Sequence, residues 1–267
     1  MSQMLEDRRT TGGDSGGEHA VRFESCPKRV RACFAGKPVA DSTQVRTMFE
    51  TGHLPVYYFP DEDVRADLLA PSDHRTSCPY KGEASYYSVK VGDRLAENAA
   101  WRYVDPLPGA PGELSGLVAF YWSKMDAWFE EDDEVYVHPR DPYKRVDVLQ
   151  SSRHVVVEIA GERVAETRRP RLLFETHLPT RYYIPKLDVR LDLLEPSEST
   201  SRCPYKGEAT YYSVRVGEHL VKDTAWCYPL PIPECPKIEN HICFYDEKVD
   251  ALYVDGELQE RPSTPWS

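Results

Sequence analysis

The sequence predicts a mainly β protein made of two like domains in tandem, with little helix. One observation is a long repeat. Asp63-Val64-Arg65, Cys78-Pro79-Tyr80-Lys81-Gly82-Glu83-Ala84 and Tyr86-Tyr87-Ser88-Val89 return as Asp188-Val189-Arg190, Cys203-Pro204-Tyr205-Lys206-Gly207-Glu208-Ala209 and Tyr211-Tyr212-Ser213-Val214. The offset is constant at about 125 residues, the length of a domain and far longer than a solenoid unit. A second observation is the run of short segments rich in β-branched and aromatic residues, each closed by Gly, Pro or Asp. The third is the near absence of any stretch with helical periodicity.

Each element follows in order. Arg31–Phe34, the Ala35-Gly36-Lys37 turn and Pro38–Asp41 read as a hairpin, repeated at Val155–Ile159 and Arg163–Glu166. Arg46–Glu50 and its match Arg171–Glu175 are too short to assign by period. Arg181–Ile184 reads as a strand closed by Pro185. Asp188–Leu194 alternates polar and apolar and so reads as a strand, with Asp188, Arg190 and Asp192 on one face at steps of about 7 Å. Cys203–Gly207 is a turn. Thr210–Val216 is expected to be the longest strand of the unit. Ala225–Tyr228, Ile242–Tyr245 and Val249–Tyr253 complete seven or eight short strands per repeat. Residues 1–20 read as a disordered tail, 21–137 as the first repeat domain, 138–145 as a linker, 146–262 as the second repeat domain and 263–267 as a loose tail.

Composition narrows the function. A formal net charge of −11 argues against nucleic acid and membrane surfaces, both of which need a basic face. No apolar run approaches a membrane span. Seven cysteines, none in a C-x-x-C pair, do not make a disulfide framework or a four-thiolate metal site. They suit a reducing compartment, so the expectation is cytoplasmic, without metal or other cofactor.

These motifs resemble a bacterial and fungal family, the domain of unknown function numbered 427. The resemblance is carried by Tyr57-Tyr58-Phe59-Pro60, Asp63-x-Arg65-x-Asp67, Cys78-Pro79-Tyr80-Lys81-Gly82 and Ala100-Trp101, and by Tyr182-Tyr183-Ile184-Pro185, Asp188-x-Arg190-x-Asp192, Cys203-Pro204-Tyr205-Lys206-Gly207 and Ala225-Trp226. It implies β-tent-like domains, two sheets meeting at an angle around a cleft. The paired C-x-x-C zinc motifs of β-tent relatives do not occur here. The family also carries a nucleotidyltransferase label, which no Gly-rich phosphate loop in this sequence supports.

Residues retained in both copies are the candidate site. Cys78 and Cys203, each with a lysine three residues on, are candidate nucleophiles, against the plainer reading of small buried thiols. Lys81 and Lys206 are candidate anion anchors or bases, against lysines that solvate a turn. Arg65 and Arg190, flanked by Asp63, Asp67, Asp188 and Asp192, are candidates to present a guanidinium edge to a carboxylate or phosphate, against a surface ion-pair row. Tyr80, Tyr205, Trp101 and Trp226 are candidate walls for a planar molecule, against ordinary core aromatics. The expectation is a monomer or homodimer with a cleft in each repeat for a small anionic or planar molecule. If it is an enzyme, transferase or isomerase chemistry on a small metabolite is expected. The alternative is a non-catalytic scaffold or protein-interaction module.

Overall fold

The computed structural model describes residues 19–264, and its chain divides into two compact units between Arg140 and Asp141. The first contains β1 (Val21–Ser25), β2 (Val30–Phe34), β3 (Lys37–Ser42), β4 (Arg46–Glu50), β5 (Val56–Pro60), β6 (Leu69–Cys78), β7 (Gly82–Val91), β8 (Arg94–Tyr103), β9 (Leu117–Phe120), β10 (Ala127–Glu130) and β11 (Asp133–Val135). The second repeats them as β12 (Val146–Gln150), β13 (Val155–Ile159), β14 (Glu162–Thr167), β15 (Arg171–Glu175), β16 (Arg181–Pro185), β17 (Leu194–Cys203), β18 (Gly207–Val216), β19 (His219–Cys227), β20 (His241–Phe244), β21 (Ala251–Val254) and β22 (Glu257–Leu258). The only helical pieces among the described residues are single 3-10 turns.

Each unit has a seven-stranded and a four-stranded sheet, both antiparallel. The large sheets run β1-β4-β5-β9-β8-β7-β6 and β12-β15-β16-β20-β19-β18-β17. The small ones run β11-β10-β2-β3 and β14-β13-β21-β22. The expected hairpin is present in both units, with a two-residue turn at Ala35-Gly36 and Ala160-Gly161 whose φ angles are all positive.

The large sheet is apolar on both faces, and strand alternation sorts its aromatics between them. In the first unit, Tyr57, Phe59, Val118, Phe120 and Ala100 face the small sheet and pack with Val30, Ala32 and Trp128. Tyr58, Ala84, Tyr86, Leu117 and Ala119 point to the other face, with Trp101 packed against them. The second unit divides Ile184, Val214, Ile242 and Phe244 from Tyr183, Ala209, Trp226 and Cys243 in the same way. A bulge between Tyr87 and Val89, matched between Tyr212 and Val214, interrupts the long central hairpin of each unit. The motif serine sits in that bulge. Ser88 Oγ accepts the Asn98 N–H at 3.1 Å and Ser213 Oγ that of Asp223 at 3.2 Å. Asn98 and Asp223 both lie at positive φ.

Two expectations are corrected. There are eleven strands per unit in place of seven or eight. The main omissions are the edge strands β6 and β17, whose residues are mostly solvated and so show no period-2 burial. Asp188–Leu194 is not a strand: Lys186–Asp188 and Leu191–Leu193 are 3-10 turns, as are Asp61–Asp63 and Ala66–Leu68 in the first unit. The polar/apolar alternation there is not that of a strand: Val189 turns inward to a bridge with Ala165 and Leu193 and Leu194 pack on the core, while Leu191 is exposed. The tail expected over 1–20 lies outside the described residues except for His19 and Ala20. Ala20 continues the sheet edge through hydrogen bonds with Thr51. Of the loose end expected over 263–267, only 263 and 264 are described, and Thr264 bonds Glu247.

Candidate functional site

The Cys-Pro-Tyr-Lys-Gly turn joins the edge strand to the central hairpin in each unit. A proline-rich connection straps it down. The Lys81 carbonyl accepts the Leu107 N–H and the Lys206 carbonyl accepts the Ile232 N–H, each at 3.1 Å. The approach is so close that a Cβ on Gly82 would meet the Asp105 carbonyl at 3.3 Å, and one on Gly207 the Leu230 carbonyl at 3.2 Å. Both glycines also sit near φ +105°, at 108° and 104°. Retention of this glycine therefore has a backbone cause. Gly207→Ala is expected to destabilise the protein by about 1–3 kcal/mol, read by urea denaturation. Wild-type stability in that variant would contradict the strap geometry.

The motif lysine is buried and paired. Lys81 Nζ bonds Glu50 on β4, and Lys206 Nζ bonds Glu175 on β15. The same carboxylate meets a second basic side chain in each unit. His19 Nε2 lies 3.3 Å from Glu50, and Lys144 Nζ lies 3.1 Å from Glu175. Both side chains also cover the motif tyrosine. His19 stacks on Tyr80 with ring centroids 3.5 Å apart, and Lys144 sits 5.5 Å from the Tyr205 ring centre. Burial works to raise the Glu175 carboxyl, but Lys206 and Lys144 outweigh it and hold it below its ordinary value. Burial likewise pulls the Lys206 ammonium down, yet Cys203 and Glu175 together hold it above its ordinary value. Lys206 is thus held charged and is already neutralised by a partner within the chain.

Beside this pair lies the aromatic face. Trp101 Nε1 donates to the Tyr58 hydroxyl, and Trp226 Nε1 to that of Tyr183, both at 3.2 Å. Tyr58 and Tyr183 are fully buried, which raises their phenols well above the usual value and keeps them neutral. The rings of Trp101 and Tyr121 lie 4.6 Å apart, those of Trp226 and Tyr245 4.3 Å. Tyr86 lies nearly parallel to Tyr121, as Tyr211 does to Tyr245. Hydroxyls gather at this edge: Tyr86 with Thr76 at 2.9 Å and Tyr121 at 3.2 Å, and Tyr211 with Ser201 at 2.7 Å. Cys78 and Cys203 are half-buried and pack against these clusters as small apolar side chains.

The predicted residues therefore fall into two groups. Cys78, Lys81 and Trp101 share one face of the large sheet, as do Cys203, Lys206 and Trp226, with Tyr80 and Tyr205 at the turn. Asp63, Arg65 and Asp67 do not join them, nor do Asp188, Arg190 and Asp192. Those six lie on the 3-10 turns tied to the small sheet, where Arg65 and Arg190 donate to Val39 and Val164 through their backbone N–H groups. Their guanidinium groups chelate Asp67 and Asp192. Asp63 accepts from Ser42, and Asp188 from Thr167 and Arg169. The single cleft expected to combine lysine, arginine and tryptophan is thus corrected to two separate places.

Sequence reading missed several partners. Glu50 and Glu175 match at the repeat offset, a signal that was present. Tyr121 and Tyr245 were hidden because the proline-rich connection before them is one residue shorter in the second unit. The second unit also holds a set with no counterpart. Arg181, in the place of Val56, bonds Glu247 through two contacts of 2.8 and 2.6 Å, with Asp246 at 3.6 Å. Its guanidinium carbon lies 5.7 Å from the ring centres of both Trp226 and Tyr245. Burial, with the Glu247 charge beside it, pushes the Asp246 carboxyl up to about 7, against the opposing pull of Arg181. The first unit has Trp122 and Ser123 at the corresponding positions.

No curated protein matches the chain. The profile of one family, described as a domain of unknown function (DUF427), matches residues 22–131 and again residues 147–255. These two stretches take up most of the length and coincide with the duplicated sheets, so the chain belongs to the DUF427 family as a tandem pair of its domains.

Proposed function

We propose that each unit binds a small, planar, uncharged molecule on its aromatic face, and that the protein acts as a two-site binding module. The observation that carries this reading is the hydroxyl-edged aromatic wall. Trp101, Tyr86, Tyr121 and Thr76 recur as Trp226, Tyr211, Tyr245 and Ser201; Trp101 and Tyr121 in the first unit and Tyr211 and Tyr245 in the second are partly exposed, while Tyr86 and Trp226 are buried beneath them. Packing alone asks for rings there and not for hydroxyls gathered at one edge. A flat ligand stacks on the partly exposed rings, Trp101 and Tyr121 in the first unit and Tyr211 and Tyr245 in the second, while its polar rim meets the hydroxyls. The paired lysines favour an uncharged ligand over an anion, because their charge is already met by Glu50 and Glu175. Nothing in this reading requires a chemical step, and Cys78 and Cys203 serve as apolar lining.

The test is a fluorescence and thermal-shift screen of the full chain against planar metabolites, with Tyr86→Phe/Tyr211→Phe as the probe variant. Removing two hydroxyls is expected to weaken binding about tenfold while lowering stability by only about 1–2 kcal/mol. Ligand affinity untouched by the double substitution, or no saturable signal from any compound, would falsify the proposal.

A further inference from the structure

The Asp-x-Arg-x-Asp motif is left unexplained by the aromatic face. Its ion pair stands in solvent in both units, with side chains 56% and 61% exposed for Arg65 and Asp67 and 53% and 62% exposed for Arg190 and Asp192. Exposed pairs contribute little to stability, so stability does not account for its presence in both copies. The geometry is that of a prepared donor. Arg65 gives Nε and one terminal nitrogen to Asp67, at 2.7 and 2.6 Å. That contact fixes the plane of the guanidinium and turns its outer edge, with two parallel N–H groups, to solvent. This edge matches the two oxygens of a carboxylate.

In the first unit the arginine borders a groove of about 320 Å³. Pro38, Ala40 and Val64 supply an apolar floor, and Glu62 and Asp63 stand opposite in charge to Arg65. Glu62 is exposed and makes no ion pair or hydrogen bond among the described residues. Asp63 gives one oxygen to Ser42 at 2.6 Å and keeps the other open. Asp41, also at the groove, is already held by Arg29. A donor fork, two available carboxylates and an apolar floor in one small groove complement a molecule with opposite charges at its two ends.

We propose that this groove binds a small zwitterion, a free α-amino acid or a dipeptide. Its carboxylate pairs with the outer edge of Arg65 and its ammonium group with Glu62 and Asp63. The second unit keeps the arginine fork but not the ammonium side. Leu187 stands in place of Glu62, Arg163 in place of Pro38, and Asp188 is occupied by Arg169 and Thr167. The chain therefore contains its own control. The inference is independent of the aromatic face, and each can fail without the other.

The experiment is an amide NMR titration of the full chain with alanine, alanyl-alanine, propionate and ethylamine at matched ionic strength. One of the two zwitterions is expected to give saturable shifts at residues 62–67, and whichever binds more tightly sets the ligand length. Arg65→Lys, which keeps the charge but loses the fork, and Glu62→Leu, which installs the second unit's residue, are each expected to weaken binding about tenfold or more. Arg190→Lys is expected to leave it unchanged. All three positions are exposed, and spectral dispersion verifies folding. The proposal is overturned if neither zwitterion saturates, if propionate alone binds as tightly, if Arg65→Lys has no effect, or if Arg190→Lys weakens binding equally.

Discussion

Lys206→Met is expected to lower the stability of the second unit by about 3–5 kcal/mol, because it leaves the buried Glu175 carboxylate without its main partner. The companion variant Glu175→Met leaves a buried ammonium and is expected to cost a similar amount. The double variant Lys206→Met/Glu175→Met removes both charges and replaces them with flexible apolar side chains of similar length. It should recover most of the loss, since a buried pair is often no more stabilising than the apolar contacts that replace it. Urea denaturation of all four proteins gives the coupling directly. Losses that simply add in the double variant would show that the two side chains do not act as a pair. The residual contact of Glu175 with Lys144 at 3.1 Å limits the penalty for Lys206→Met. Lys81→Met should act in the same direction on the first unit, through Glu50.

The second large effect is a pH dependence confined to the second unit. Asp246 and Glu247 share one arginine, and Glu247 takes both of its short contacts. Asp246, largely buried and left at 3.6 Å, has its carboxyl pushed from 3.8 up to about 7. Its pKa is raised in the folded chain, so the native state binds more protons than the unfolded state between about pH 4 and pH 7. Stability is therefore full below that window and falls as pH rises through it. The shift corresponds to a loss on the order of 4 kcal/mol. Asp246→Asn removes the charge and should flatten the dependence, making the variant more stable than the wild type at pH 8 and little changed at pH 5. Denaturation curves at these two pH values decide the matter. A wild-type protein as stable at pH 8 as at pH 5, or an Asn variant that keeps the slope, would remove Asp246 as the cause. The first unit, with Trp122 and Ser123 in these positions, should contribute no such slope.

The two copies make much of this legible in the sequence, but not evenly. The alternation of Tyr57-Tyr58-Phe59 and of Tyr86-Tyr87 shows that adjacent rings go to opposite faces, and they do. The same kind of alternation misleads at Asp188-Val189-Arg190, where two 3-10 turns mimic a period of two by turning Val189 and Leu193 toward the core. The edge strands escape notice for the opposite reason. Solvent reaches both of their faces, so β6 and β17 are shaped by hydrogen bonds to β7 and β18 and leave no apolar pattern. Lys81 and Lys206 are conspicuous as retained residues, yet nothing local names Glu50 and Glu175, which lie on another strand across the sheet.

By itself, the sequence determined the duplication, the β class, the hairpin turns and the residues held in common. These rest on local chemistry: alternation, turn glycines and identity between copies. Only the tertiary structure decided that the lysines are neutralised within the chain, that the arginine motif stands apart from the tryptophans, and that one unit has an arginine and two acids beneath its aromatic face. Each of these depends on which strands lie side by side. That order places β9 between β5 and β8, a pairing between strands far apart along the chain that no local pattern specifies.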